Sequence, residues 1–79
     1  MKSYEISIAS VGELKQFYEY VNKFNCDFDL KQGKYCVDAK NIMGIMSLDI
    51  TDTFELVIWM EDDKADEIMD EMLEKMDFL

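Results

Sequence analysis

Two apolar periods take turns along a chain of 79 residues, and that alternation restricts the fold more than any motif does. Tyr4, Ile6 and Ile8 alternate with Ser3, Glu5 and Ser7, the period-2 pattern of a strand with one buried face. The pattern returns at Cys26, Phe28 and Leu30 against Asp27, Asp29 and Lys31, and again at Phe54, Leu56, Ile58 and Met60. Gly33, inside Lys31-Gln32-Gly33-Lys34, is a turn signal that makes residues 26–31 and 34–38 a hairpin. Between these segments the spacing becomes helical. Leu14, Phe17, Tyr18 and Val21 follow i, i+3, i+4, i+7, and Ala65, Ile68, Met69, Met72, Leu73 and Met76 carry the same stripe through the acidic C-terminal segment. Asn41 to Leu48 predicts a shorter third helix with Asn41 as its N-cap.

The expected order is therefore β-α-β-β-α-β-α. A chain this short buries only about 60% of the surface that its unfolded form exposes, which leaves room for one layered core and no deep cleft. We expect a single α+β domain over residues 1–79, with a four-stranded, mostly antiparallel sheet and three helices on one face.

Composition removes several function classes. The chain has no histidine, arginine or proline, and its eight lysines face eighteen carboxylates for a formal charge of −10. Phosphate backbones and anionic membrane surfaces both need a concentrated basic face, so neither nucleic acid nor membrane is an expected partner. The longest apolar run, Leu56 to Met60, is far short of the ~20 residues that span a bilayer, and Met1 to Ser10 lacks the apolar core of a secretion signal, so a cytoplasmic location is expected. Glu61 to Glu67 lacks the spacing of a calcium loop. Its carboxylates suit the positive end of a helix.

With a turn at Gln32-Gly33, Cys36 would lie opposite Asp29, on the face away from Cys26, so the two thiols should not pair. Without histidine a zinc site would need four sulfur or carboxylate ligands, of which the sequence shows no cluster, and no nucleophile–base pair can be assembled. No metal, cofactor or catalytic residue is nominated, and the protein is not expected to be an enzyme.

This element order, together with Lys40-Asn41-Ile42-Met43-Gly44-Ile45-Met46-Ser47-Leu48, resembles the histidine-containing phosphocarrier (HPr) family of the bacterial sugar phosphotransferase system. The likeness runs without gaps from about Lys23 to Leu73 and includes the Lys23-Phe24 pair that closes the first helix. It implies the open-faced β-sandwich of that family. It also exposes what is missing. The family carries Gly-apolar-His-Ala-Arg-Pro at the start of the first helix, where this chain has Ala9-Ser10-Val11-Gly12-Glu13-Leu14, about three residues shorter. No imidazole is available to accept a phosphoryl group. Asn41 stands where the family places its regulatory serine, so Ser10, Val11, Gly12 and Glu13 form a degenerate active-site loop and Asn41 a degenerate regulatory site.

A physical argument points the same way. Ser10-Val11-Gly12-Glu13 has the form of a capping box, in which Ser10 would hold the Glu13 N–H and the Glu13 carboxylate would reach back to the Ser10 N–H. The helix end would then be satisfied already, with a negative charge where a phosphoryl group would sit.

Around the short helix, at about 100° per residue, Ile42, Met43 and Met46 cover one arc, while Ile45 and Leu48 fall on another. The resemblance implies that Ile45 and Leu48 are buried and that Ile42, Met43 and Met46 form an exposed patch where partner proteins dock. Methionine suits such a patch because its side chain repacks easily. Strand parity also turns Val57 and Trp59 toward the uncovered face of the sheet, a second possible interface. The preferred reading is an HPr-like protein that cannot carry phosphohistidine and acts in regulation by docking a phosphotransferase-system or regulatory protein through Ile42, Met43 and Met46. Two alternatives stay open. One is an unusual phospho-acceptor such as Cys26, Cys36 or Ser10, and the other is a self-associating structural module, a homodimer through the Trp59 face.

Overall fold

In the computed structural model, which describes residues 1–79, the elements follow in the expected order: β1 (Lys2–Ile6), α1 (Val11–Val21), β2 (Phe28–Gln32), β3 (Tyr35–Asp38), α2 (Ile42–Met46), β4 (Phe54–Ile58) and α3 (Asp62–Lys75). The four strands form one sheet in the order β1-β4-β2-β3, and every neighbouring pair is antiparallel. β4, the last strand in sequence, therefore lies between β1 and β2, and α1 crosses over it to connect them.

Register turns the alternating pattern into a core. Tyr4, Leu56, Leu30 and Val37 stand side by side across the sheet, with Lys2, Ile58 and Phe28 in the row on one side and Ile6 and Phe54 in the row on the other. The helices close over this face with Leu14, Phe17, Tyr20 and Val21 from α1, Ile45 from α2, and Ala65, Met69 and Met72 from α3.

Four details depart from the periodic reading. Tyr20 is buried where Tyr18 was expected, because an aromatic relay covers that flank of α1: Tyr20 and Phe24 have ring centroids 5.3 Å apart, and Phe24 and Phe28 5.8 Å. Burial, with Glu71 nearby, pushes the Tyr20 phenol up to about 12. On α3 the buried stripe narrows to Ala65, Met69, Met72 and the following Met76, leaving Leu73 exposed at its margin.

The hairpin closes on Gln32 and Tyr35, so Gly33 and Lys34 make the turn and Cys36 pairs with Lys31, not with Asp29. A two-residue loop of this kind needs positive φ at its first position, and Gly33 supplies it at 60°. The shift by two residues preserves the face, and both cysteines are free, Cys26 half-buried and Cys36 exposed. Finally, Val57 does point away from the helices, yet it is buried at 2% exposure. Trp59, two residues on, donates its Nε1–H to Asp29 Oδ2 at 2.7 Å, and Asp29 is Val57's neighbour on β2. The indole thus leans across the sheet beside Val57 instead of leaving it open.

β1 has β4 on one side only, and α3 supplies its second attachment. Asp66 accepts hydrogen bonds from Lys2 Nζ at 2.9 Å and from the Tyr4 hydroxyl at 2.7 Å. These bonds hold the Asp66 carboxyl below its ordinary range. The loop before β4 is tied in a similar way: Gln32 donates to the Asp49 carbonyl at 2.6 Å and accepts from the Asp49 N–H at 2.8 Å, while Asp49 Oδ1 accepts from the Thr51 hydroxyl at 2.6 Å. No helix is long and apolar enough to cross a membrane.

Two predictions follow from this architecture. Gly33→Ala should lower unfolding free energy by about 1–2 kcal/mol in urea titrations, because a Cβ there meets nothing within 4 Å and the penalty is conformational alone. Asp66→Asn should lower Tm at neutral pH. Because the folded carboxyl titrates below the unfolded one, its contribution is complete above the ordinary carboxylate pKa of about 4 and is lost as pH falls through the folded value, so the two Tm curves should converge as the solution becomes strongly acidic.

Candidate functional site

The start of α1 is built as a capping box with one change of partner. Ser10 is extended, with φ −152° and ψ 162°, and its Oγ accepts from the Glu13 N–H at 3.2 Å. The Glu13 carboxylate returns to the Ala9 N–H at 2.9 Å, not to that of Ser10. Successive N–H groups along extended backbone point to opposite sides, so the N–H facing Glu13 is the one before the cap. Leu14 N–H is satisfied by the Ser10 carbonyl at 3.0 Å. Val11 and Gly12 keep open N–H groups, so the end is less fully satisfied than the motif implies; what it does have is a carboxylate folded across it.

The surroundings supply no positive charge. Beside this loop lies a shallow cavity of about 340 Å3 between Ser7, Ile8 and Ala9 on one side and Ile50, Thr51, Asp52 and Thr53 on the other. Its lining holds hydroxyls and one carboxylate, and no lysine. A doubly charged phosphoryl group placed here would meet the Asp52 and Glu13 carboxylates with no cation to offset them. The alternative acceptors gain nothing from the geometry. Burial pushes the Cys26 thiol up, away from the thiolate form that would be nucleophilic, and Ser10 Oγ is occupied in capping.

α2 is placed by three fitted contacts. Asn41 caps it, its Oδ1 accepting from the Met43 and Gly44 N–H groups at 3.1 and 3.3 Å. Gly44 faces β3 so closely that a Cβ there would meet the Val37 Cβ at 3.3 Å. At the other end the Ser47 hydroxyl donates to the Gly44 carbonyl at 2.6 Å. This seating turns Ile45 and Leu48 into the core, at 0% and 8% exposure, and leaves Met43 and Met46 outside at 80% and 50%. Ile42 is not an exposed member of the patch. It is half-buried and packs against the core cluster, although the Asn41 cap before it is exposed. The surface is thus two exposed methionines beside a half-buried isoleucine. Asn41 brings a side-chain amide and no hydroxyl to the start of α2.

Neighbouring polar contacts leave this surface firm. The Lys40 ammonium is drawn away from it, donating to the Phe24 carbonyl and lying 5.9 Å from the Phe28 ring centroid. No cluster of three metal-ligating side chains exists in the chain.

These features can be set beside known proteins. The chain matches the family model described as PTS HPr component phosphorylation site over residues 14–77, a span that begins just after Ser10–Glu13. Among solved structures it is similar to the HPr-C-His protein of Thermoanaerobacter tengcongensis, with TM-score 0.74 and 26% identity over 94% of this chain and 92% of that one. It is also similar in fold to the phosphocarrier protein HPr of Bacillus anthracis str. Ames, with TM-score 0.71 and 23% identity over 89% of each chain. No curated protein matched. With the family pattern running through residues 14–77 of its 79, and with strands and helices arranged as in those structures, the chain belongs to the HPr family of phosphotransferase-system proteins.

Proposed function

We propose that this HPr-family protein does not carry phosphohistidine and acts instead by contact, docking a phosphotransferase-system or regulatory protein on Met43 and Met46 with Ile42 at their base. The observation that carries this reading is the coexistence of an erased acceptor and a retained surface. The chain contains no histidine at all, and a carboxylate folds over the helix end where the family's acceptor would stand, yet the two methionines of α2 remain exposed at 80% and 50%. The family transfers phosphoryl groups as a carrier and not as a catalyst, so loss of the acceptor leaves the protein with no chemistry of its own to perform. We place it in the cytoplasm, where such partners work.

The electrostatics support the proposal independently of family. Phosphoryl acceptance at a helix start relies on free N–H groups, a positive dipole end and a nearby cation. Only part of the first condition is met here. A docking surface asks for exposed apolar area on a rigid element, and α2 provides it, because both of its ends are capped and its underside is locked against Val37.

Two experiments test the proposal. Incubation with enzyme I and phosphoenolpyruvate should leave the intact mass unchanged, and stoichiometric phosphate on any side chain, Cys26, Cys36 and Ser10 included, would overturn it. Met43→Asp should weaken capture of a specific partner from native cytosol at least about tenfold, as expected for an anchor of a small apolar interface, while changing stability by less than about 0.5 kcal/mol because the side chain is solvent-facing. Undiminished capture would remove α2 as the docking element.

A further inference from the structure

On the face of the sheet away from the helices, register sets out two rows of side chains. Ser3, Val57, Asp29 and Asp38 stand abreast in one, and Glu5, Glu55, Lys31 and Cys36 in the next. Two of the adjacent pairs, Asp29–Asp38 and Glu5–Glu55, set carboxylate directly against carboxylate, an arrangement that destabilises a sheet unless something neutralises it. No ion pair in the chain does so. None of the four takes part in an ion pair, and Lys31 is the one lysine in either row. A groove of about 390 Å3 lies at the Glu5–Glu55 end of this face, lined by Ser3, Glu5, Lys31, Thr53 and Glu55 among others, and stops short of Asp29, Asp38 and Trp59.

Trp59 gives the acidic face a second character. Its indole is 48% exposed, and its Nε1–H is fixed on Asp29 Oδ2, so a partly bare aromatic plane is held beside the carboxylates. Asp38 spends Oδ1 on the Lys40 N–H, which leaves one oxygen open on each of Asp29 and Asp38.

We propose that this face docks an arginine-bearing segment of a partner protein, with a guanidinium stacked on Trp59 and paired with Asp29 and Asp38. A guanidinium is planar, polarises against an indole face and presents several donors to carboxylates at once, so it answers both features together, which an ammonium does less well. The overall charge of −10 adds long-range attraction for such a segment. A second copy of this chain is the wrong occupant, because it would bring the same carboxylates against themselves. The surface lies in the opposite layer from α2, so it is a site additional to the one on Met43 and Met46.

Trp59 is the single tryptophan, so its fluorescence reports on the face directly. Titration with a hexa-arginine peptide should give a saturable change, and hexa-lysine should bind more weakly. The double variant Asp29→Asn/Asp38→Asn should lose about tenfold in affinity, as for removal of charge-assisted hydrogen bonds. Asp70→Asn/Glu74→Gln, with the same charge change on the exposed side of α3, should lose less than twofold. If the double variant fails to fold by circular dichroism, Asp38→Asn alone keeps the indole tether and should still lose about threefold for one charge-assisted contact. A non-saturable response, equal affinity for both peptides, equal losses in the two charge-matched variants, or an equivalent change with magnesium chloride alone would overturn the proposal.

Discussion

β4 is the strand on which everything else is assembled. It pairs with β1 on one side and β2 on the other, and its Phe54, Leu56 and Ile58 are each at most 1% exposed. A strand buried on its helix face, and covered even at Val57 on the other, has to sit in the middle of the sheet, and that position forces β1 and β2 apart. α1 must then bridge the gap, α3 must follow β4 back over the same layer, and the short α2 is left to cover β3 at the edge. The surfaces that remain free are set by this arrangement: the outer side of α2, the start of α1 and the far face of the sheet.

The parts of this arrangement that were legible in the sequence are those encoded by short-range period. Strand faces, the stripes of α1 and α3, the Asn41 cap and the division of α2 into two apolar arcs all repeat within a few residues, so a reader of the chain meets them directly, whereas the inward turn of Ile45 and Leu48 was implied by the family resemblance. What was not legible depends on partners far apart. Nothing near Tyr20 announces that Phe24 and Phe28 will stack against its flank and bury it ahead of Tyr18. The bonds of Lys2 and Tyr4 to Asp66 join residues 64 and 62 positions apart, and Trp59 reaches Asp29 across 30. The turn at Gly33-Lys34 differs from Gln32-Gly33 by a single step, and only the register separates them. The candidate site was half visible: the loss of histidine is a matter of inventory, whereas the half-burial of Ile42 depends on how tightly α2 is seated.

Charge distribution ties the functional readings together. A phosphocarrier needs its positive potential gathered at one helix end. Here no lysine lines the cavity beside the start of α1, and three others are engaged elsewhere: Lys40 lies over Phe28, Lys2 is bound to Asp66 and Lys75 pairs with Glu71 at 3.8 Å. With a formal charge of −10, carboxylates cross the open face of the sheet while Met43 and Met46 stand exposed on the helical layer. A net charge of this sign works against association with phosphate-rich partners.

The attachment of β1 carries a consequence for how the chain acquires its shape. Its pairing strand and its Asp66 anchor both lie far later in the chain, so β1 has no permanent neighbour until β4 and α3 have been made. Closure of so wide a sequence separation is entropically slow. The fold should therefore close in one late step, with β1 waiting for β4 and α3.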